Sequence, residues 1–163
     1  MKNIDILVLS SILGTTILGS YVYYLSISSN SLIEKMWVGI EKQYRIIYGV
    51  MMVLATIGFL SLMYYALNNS IKEKQQFTIL LMLILVPAIF WMGLTYHSLK
   101  KNNRSRDVSF VLLMTALGSI GMSLFLHKNK VDEMVQKLFA LFTFHVTLLD
   151  GIIWNYKYIN YVA

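Results

Sequence analysis

Residues 77–99 read FTILLMLILVPAIFWMGLTYHSL, a long stretch that contains no Asp, Glu, Lys or Arg. A helix of about 20 residues covers the roughly 30 Å hydrocarbon core of a bilayer at 1.5 Å per residue. The stretch therefore predicts a membrane-spanning helix. Pro87 near its middle predicts a kink one turn before Trp91, which would open space between the helices.

Four further apolar stretches of similar length flank this one. The predicted spans are residues 6–25, 46–67, 77–99, 108–126 and 138–156. The composition agrees, with 57% hydrophobic residues, 13% charged residues and a mean hydropathy of +0.61, whereas soluble domains carry about 25% charged residues. The sequence predicts an all-α integral membrane protein in which residues 1–163 form one compact bundle of five transmembrane helices.

The connections between the later spans are short, so consecutive helices are expected to run antiparallel. Residues 26–45 form the exception, and EKMWVGIEKQYR at 34–45 has helical spacing with Trp37 and Tyr44 among charges. We expect this segment to lie in the interface over one mouth of the bundle. The 14 Lys and Arg residues divide into eight on that side of the membrane and six on the other, which predicts that the long connection faces the cytoplasm.

Several chemistries have no basis in the sequence. The absence of Cys excludes disulfides and thiolate metal sites. The sequence contains no nucleophile with an adjacent base, no phosphate-binding glycine loop and no paired carboxylates. We therefore predict that the protein is not an enzyme and has no catalytic residues. The three His are too far apart to form a metal site. The net charge of +6 predicts contact with anionic lipid headgroups and not with nucleic acid.

Aromatic residues gather on the side of the long loop. That side receives all three Trp (Trp37, Trp91 and Trp154) and every Tyr except Tyr64 and Tyr65. Ordinary aromatic belts populate both interfaces. Either these rings form one belt, or some turn inward and line a cavity under the loop. Because Trp and Tyr combine a flat apolar face with a polar tip, such a cavity would suit a flat, mostly apolar molecule.

The fifth span carries two ionisable residues, His145 and Asp150, within an apolar stretch. Such residues usually face protein or water. Five residues in an α-helix place these two about 140° apart, so no contact between them is expected. Asp150 shares a predicted bundle-facing stripe with Thr147 and Trp154. It is either a polar anchor at the cavity rim or a helix-end acid that extends to the membrane interface or pairs with a basic neighbour such as Arg45. His145 is either a neutral imidazole between helices or a proton relay or haem ligand.

Two short stretches resemble a known family. LDGIIW at 149–154 is similar to the fifth-helix L-N-x-x-I-W pattern of the TspO (translocator protein) family, with Asp150 at the Asn position. WMGLTY at 91–96 is similar to its third-helix W-x-P-L-F-F pattern, with Gly93 at the Pro position. The five-span layout and the long first loop also resemble that family. The resemblance implies a pocket under the first loop for porphyrins, haem or sterol-like molecules, and a homodimer.

The predicted function is binding of a flat hydrophobic ligand, with a role in transport or sensing. Its partners would be the bilayer and this ligand; we predict no resident cofactor, with haem or porphyrin as ligand only. The predicted ligand-binding residues are Trp37, Tyr44, Tyr48, Trp91, Tyr96, His145, Thr147, Asp150 and Trp154. One alternative is a small proton-coupled transporter or channel subunit that uses His145 and Asp150. The other is a structural or assembly protein without a ligand.

Overall fold

A computed structural model of the protein describes residues 4–103 and 105–161, and within these ranges the chain is helical without strands. This confirms the all-α prediction. The helices are α1 (Ile4–Ser26), α2 (Asn30–Met36), α3 (Lys42–Asn68), α4 (Lys74–Lys100), α5 (Arg106–Lys128) and α6 (Glu133–Tyr161). All except α2 are long and apolar enough to cross a membrane.

Each long helix extends beyond the apolar stretch that predicted it, and polar side chains cap the starts of α5 and α6. The Ser105 side chain accepts a hydrogen bond from the backbone N–H of Asp107 at 3.2 Å. Asp132 accepts from the N–H groups of Met134 and Val135 at 2.9 and 3.3 Å. Such caps satisfy N–H groups that the first helical turn leaves unpaired, so the helices begin in the polar connections.

Contacts between the helices define a ring. α1 packs chiefly on α4 and runs parallel to it, and α4 packs antiparallel on α5. α5 packs antiparallel on α6, and α6 packs antiparallel on α3. α3 meets α1 over a smaller contact that closes the ring. Consecutive long helices therefore alternate in direction, and α2 lies at the end that also holds the C-terminal part of α6. We call this end the loop end.

Two glycines permit the closest helix crossings. A Cβ on Gly58 of α3 would lie 2.2 Å from the carbonyl oxygen of Leu138 in α6. A Cβ on Gly118 of α5 would lie 2.9 Å from the carbonyl carbon of Leu83 in α4. Small residues let backbones approach in this way. At Gly14, Gly19 and Gly49, by contrast, no atom lies within 4 Å of an added Cβ.

The connection between α1 and α3 folds as a short helix and a tight turn. Helical spacing predicted a segment running through residues 34–45, but α2 ends at Met36. Val38 and Gly39 follow with φ of 46° and 77°. Residues with positive φ end a helix, and a β-branched residue such as Val is strained there. The buried side chain of Val38 holds this turn against the bundle, and α3 begins at Lys42.

Candidate ligand groove and buried His–Asp pair

Aromatic rings at the loop end point inward and pack on one another. Trp91 of α4 lies 5.6 Å from Tyr21 of α1 and 5.5 Å from Trp154 of α6, measured between ring centroids. Trp154 stacks on Tyr158 at 5.2 Å with an interplanar angle of 8°. Tyr96 lies 5.1 Å from Tyr24. Because the rings contact each other, they fill the centre of the loop end.

The polar tips of three aromatic side chains at the loop end bond to the backbone of the connections and of α6. Trp154 Nε1 donates to the carbonyl oxygen of Met36, at the end of α2, at 3.0 Å. The hydroxyl of Tyr48 donates to the carbonyl oxygen of Leu149 at 3.0 Å. The hydroxyl of Tyr158 accepts from the N–H of Ser105 at 2.9 Å. Hydrogen bonds that satisfy buried polar atoms in this way fix the position of α2 and of the α4–α5 connection.

Residues His145–Trp154 of α6 form a π-helix instead of an α-helix. Two local features accompany the wider turn. Thr147 Oγ1 donates to the Thr143 carbonyl oxygen at 2.6 Å, so this carbonyl bonds a side chain. At Gly151, an added Cβ would lie 3.1 Å from the carbonyl oxygen of Val146, five residues earlier. The backbone can therefore approach that carbonyl closely, as i→i+5 bonding requires.

The π-helix brings His145 and Asp150 together. His145 Nε2 lies 3.4 Å from a carboxylate oxygen of Asp150. The expectation that these residues cannot pair is therefore wrong, because it assumed α-helical geometry, whereas a π-helix aligns residues five apart. Their side chains are 9% and 22% exposed, and the Tyr48 ring lies 6.4 Å from the imidazole. His145 Nδ1 is buried and has no hydrogen-bond partner within the described part of the chain.

Arg45, the basic residue considered as a partner for Asp150, is engaged elsewhere. Its Nη1 lies 2.8 Å from the carboxylate of Glu34, and its Nε donates to the carbonyl oxygen of Ile40 at 3.1 Å. Its guanidinium also lies over the Trp37 ring at 5.1 Å. Arg45 therefore fastens α2 and the following turn to the start of α3, and Asp150 pairs with His145.

A groove of about 300 Å³ lies at the loop end, between α3 and α6 and beside the turn that follows α2. Its walls are Gly39, Ile40, Glu41, Tyr44, Ile47, Tyr48, Leu149, Ile153 and Lys157. Tyr44, Ile47, Ile153 and Lys157 are largely exposed. The groove therefore opens outward, along the seam of the two helices, and not into the centre of the ring.

The predicted site residues fall into separate groups. Tyr44 and Tyr48 line the groove. Trp91, Trp154 and Tyr96 belong to the packed rings, Trp37 packs edge-on against Tyr48, and His145 and Asp150 form the buried pair. The Thr147 hydroxyl bonds its own helix. Sequence reasoning missed Ile47, Ile153 and Lys157, although the helical spacing of Tyr44, Ile47 and Tyr48 and of Ile153 and Lys157 carried the signal.

Among the described residues, no three His, Asp or Glu side chains are placed to hold a metal ion. The fold and the site thus define an all-helical chain with five potential membrane spans, an outward-facing groove and a buried His–Asp contact. No family model, curated protein or solved structure matches the chain.

Proposed function

We propose that the protein is an integral membrane protein whose five long helices cross the bilayer. Its outer surface supports this, because many exposed side chains are large and apolar. Leu18, Val22 and Ile46 are 69%, 70% and 72% exposed. In water such surfaces would drive aggregation, whereas lipid tails solvate them at no cost. The charged residues, in turn, lie mainly in the connections and at the helix ends.

Within the membrane, the protein binds a flat hydrophobic ligand, such as a porphyrin- or sterol-like molecule, and acts in its transport or sensing. The groove between α3 and α6 carries this proposal. Its walls of Ile40, Ile47, Leu149 and Ile153 are apolar, and Tyr44 adds a broad ring. A volume of about 300 Å³ lies at the lower end of the range for small-molecule sites. The TspO-like layout and motifs point to the same ligand class.

Filling the groove tests this function. In Ile153→Trp the larger side chain should occupy the groove, because Ile153 lines it and is 38% exposed. We expect affinity for protoporphyrin IX, measured by absorbance titration in detergent, to fall by about tenfold or more, which corresponds to about 1.4 kcal/mol. The matched control is Ile79→Trp, at an exposed position outside the groove on α4.

Equal affinities for the two variants would contradict binding in the groove. Loss of binding in Trp91→Leu, with retention in Ile153→Trp, would place the ligand among the packed rings instead. No saturable binding of any porphyrin or sterol probe to the unmodified protein would remove the ligand-binding function altogether.

A second candidate function is proton-coupled transport, and the contact between His145 and Asp150 favours it. A buried imidazole and carboxylate 3.4 Å apart can exchange a proton. Transport also needs a polar path on both sides of the pair. In α1 and α3 the hydroxyls of Ser10, Thr16 and Thr56 donate to carbonyls of their own helices and therefore add nothing to such a path. Proton flux into liposomes that vanishes in Asp150→Asn would establish this alternative over ligand binding.

A further inference from the structure

We infer that the ligand of the groove carries an acidic group and that Lys157 binds it. The inference rests on the proposed function and adds the chemical class of the ligand. Lys157 lies on α6 one turn beyond Ile153, and both line the groove. Its carbon chain can therefore lie along the apolar wall while its ammonium group stays at the rim, as long basic side chains do near membrane interfaces.

The ammonium group of Lys157 makes no ion pair within residues 4–103 and 105–161, where no carboxylate lies at ion-pairing distance from it. The one acidic residue in the groove wall is Glu41, whose carboxylate accepts a hydrogen bond from Gln43 Nε2 at 2.9 Å. Within these ranges Lys157 thus makes no ion pair although Glu41 lies in the same wall. An unpaired cation beside an apolar wall favours a ligand with an apolar body and one negative group.

The other charged side chains at the loop end also produce a positive electrostatic potential. Lys35, Lys42, Lys100, Lys101 and Arg106 all lie in or next to the connections at this end and outnumber the acidic residues Glu41 and Asp107 there, whereas Arg45 is paired with Glu34. α3 also begins at the groove, and its N-cap residue Glu41 makes no side-chain capping bond. The partial positive charge of that helix end attracts an anion, whereas the carboxylate of Glu41 beside it opposes one.

The size of the groove distinguishes between acidic ligands. A cavity near the lower limit for small-molecule sites has room for one ring system or chain. A membrane phospholipid would need room for two acyl chains beside its phosphate. The better match is a free carboxylic acid with one flat apolar body, because it needs less space in the groove than a phospholipid with two acyl chains.

Protoporphyrin IX and its dimethyl ester provide the test, because they share one ring system and differ in the carboxylates. The protein is placed in nanodiscs of phosphatidylcholine, and both affinities are measured. We expect the acid to bind about tenfold tighter than the ester, the scale of one hydrogen bond to a charged group. In Lys157→Gln this preference should disappear while the ester keeps its affinity. Lys101→Gln, with the same change in charge at an exposed residue outside the groove, should keep the preference.

Each other outcome overturns a specific statement. If acid and ester bind equally to the unmodified protein, the ligand need not be acidic, but the groove remains a binding site. If the preference for the acid over the ester disappears equally in both Lys variants, the positive potential of the whole loop end selects the acid, and Lys157 has no specific role. If phosphatidylglycerol in the nanodisc displaces the acid from the unmodified protein but not from Lys157→Gln, the occupant is a phospholipid. If neither probe binds, the proposed function itself fails.

Discussion

Asp150 and His145 form a buried polar contact in which each side chain faces the other. The Nδ1 atom of the imidazole is already without a hydrogen-bond partner among the described residues, and Nε2 faces Asp150. A buried polar atom without a partner costs about 1–3 kcal/mol. The main contribution of Asp150 is therefore the polar group that it places 3.4 Å from His145 Nε2.

Asp150→Asn and Asp150→Leu separate hydrogen bonding from charge. Asn retains an oxygen that can accept from His145 Nε2, so the thermal midpoint in detergent should stay nearly unchanged. Leu leaves both ring nitrogens of His145 unpaired, and we expect a loss of about 1–3 kcal/mol in the free energy of unfolding. Equal damage from both substitutions would show that the negative charge or a proton on Asp150 is what matters.

The sequence prediction and the structure disagree most at the contact between His145 and Asp150. The residue types and the apolar surroundings of His145 and Asp150 are visible in the sequence, but their contact depends on the turn of the helix. An analysis of hydrophobic periodicity assumes the 3.6-residue repeat of an α-helix, so it does not detect a change to another helix type. A local change to i→i+5 bonding depends on how Thr147, Gly151 and the neighbouring helices pack, which no single-sequence pattern records.

Whole elements follow the sequence more closely. The five long helices follow from the lengths of the apolar stretches, and the capping residues Ser105 and Asp132 account for the extra residues at the starts of α5 and α6. The turn at Val38 was not visible, because Val rarely adopts positive φ. Its conformation follows from burial of its side chain under the loop end. Of the residues that line the groove beside this turn, the sequence therefore predicted only Tyr44 and Tyr48.

Gly58→Ala and Gly49→Ala form a matched pair on α3. The Gly58 substitution places a Cβ 2.2 Å from the Leu138 carbonyl oxygen, so α3 and α6 must move apart, at a cost of about 3 kcal/mol. The Gly49 substitution meets no atom within 4 Å and should be neutral or stabilising by up to about 1 kcal/mol through helix propensity. Thermal midpoints of both variants in detergent provide the measurement, and similar midpoints would contradict the close crossing of α3 and α6.

At the scale of the whole molecule, the odd number of long helices places the first and the last helix ends at opposite ends of the bundle. α1 begins at the end opposite the loop end, and α6 finishes at the loop end. Reporters fused before residue 4 and after residue 161 should therefore report opposite sides of the membrane. Matching readings from the two fusions would exclude five membrane crossings.

The contact between Trp91 and Trp154 has an optical consequence. Their centroids lie 5.5 Å apart, and their planes meet at 72°. Two indole chromophores at this separation and inclination do not absorb independently, because their transition dipoles couple and split each excited state in two. The far-ultraviolet circular dichroism should thus contain an exciton couplet of opposite lobes beneath the helical spectrum. Its amplitude would report continuously on the separation of α4 and α6 at the loop end, without any attached label.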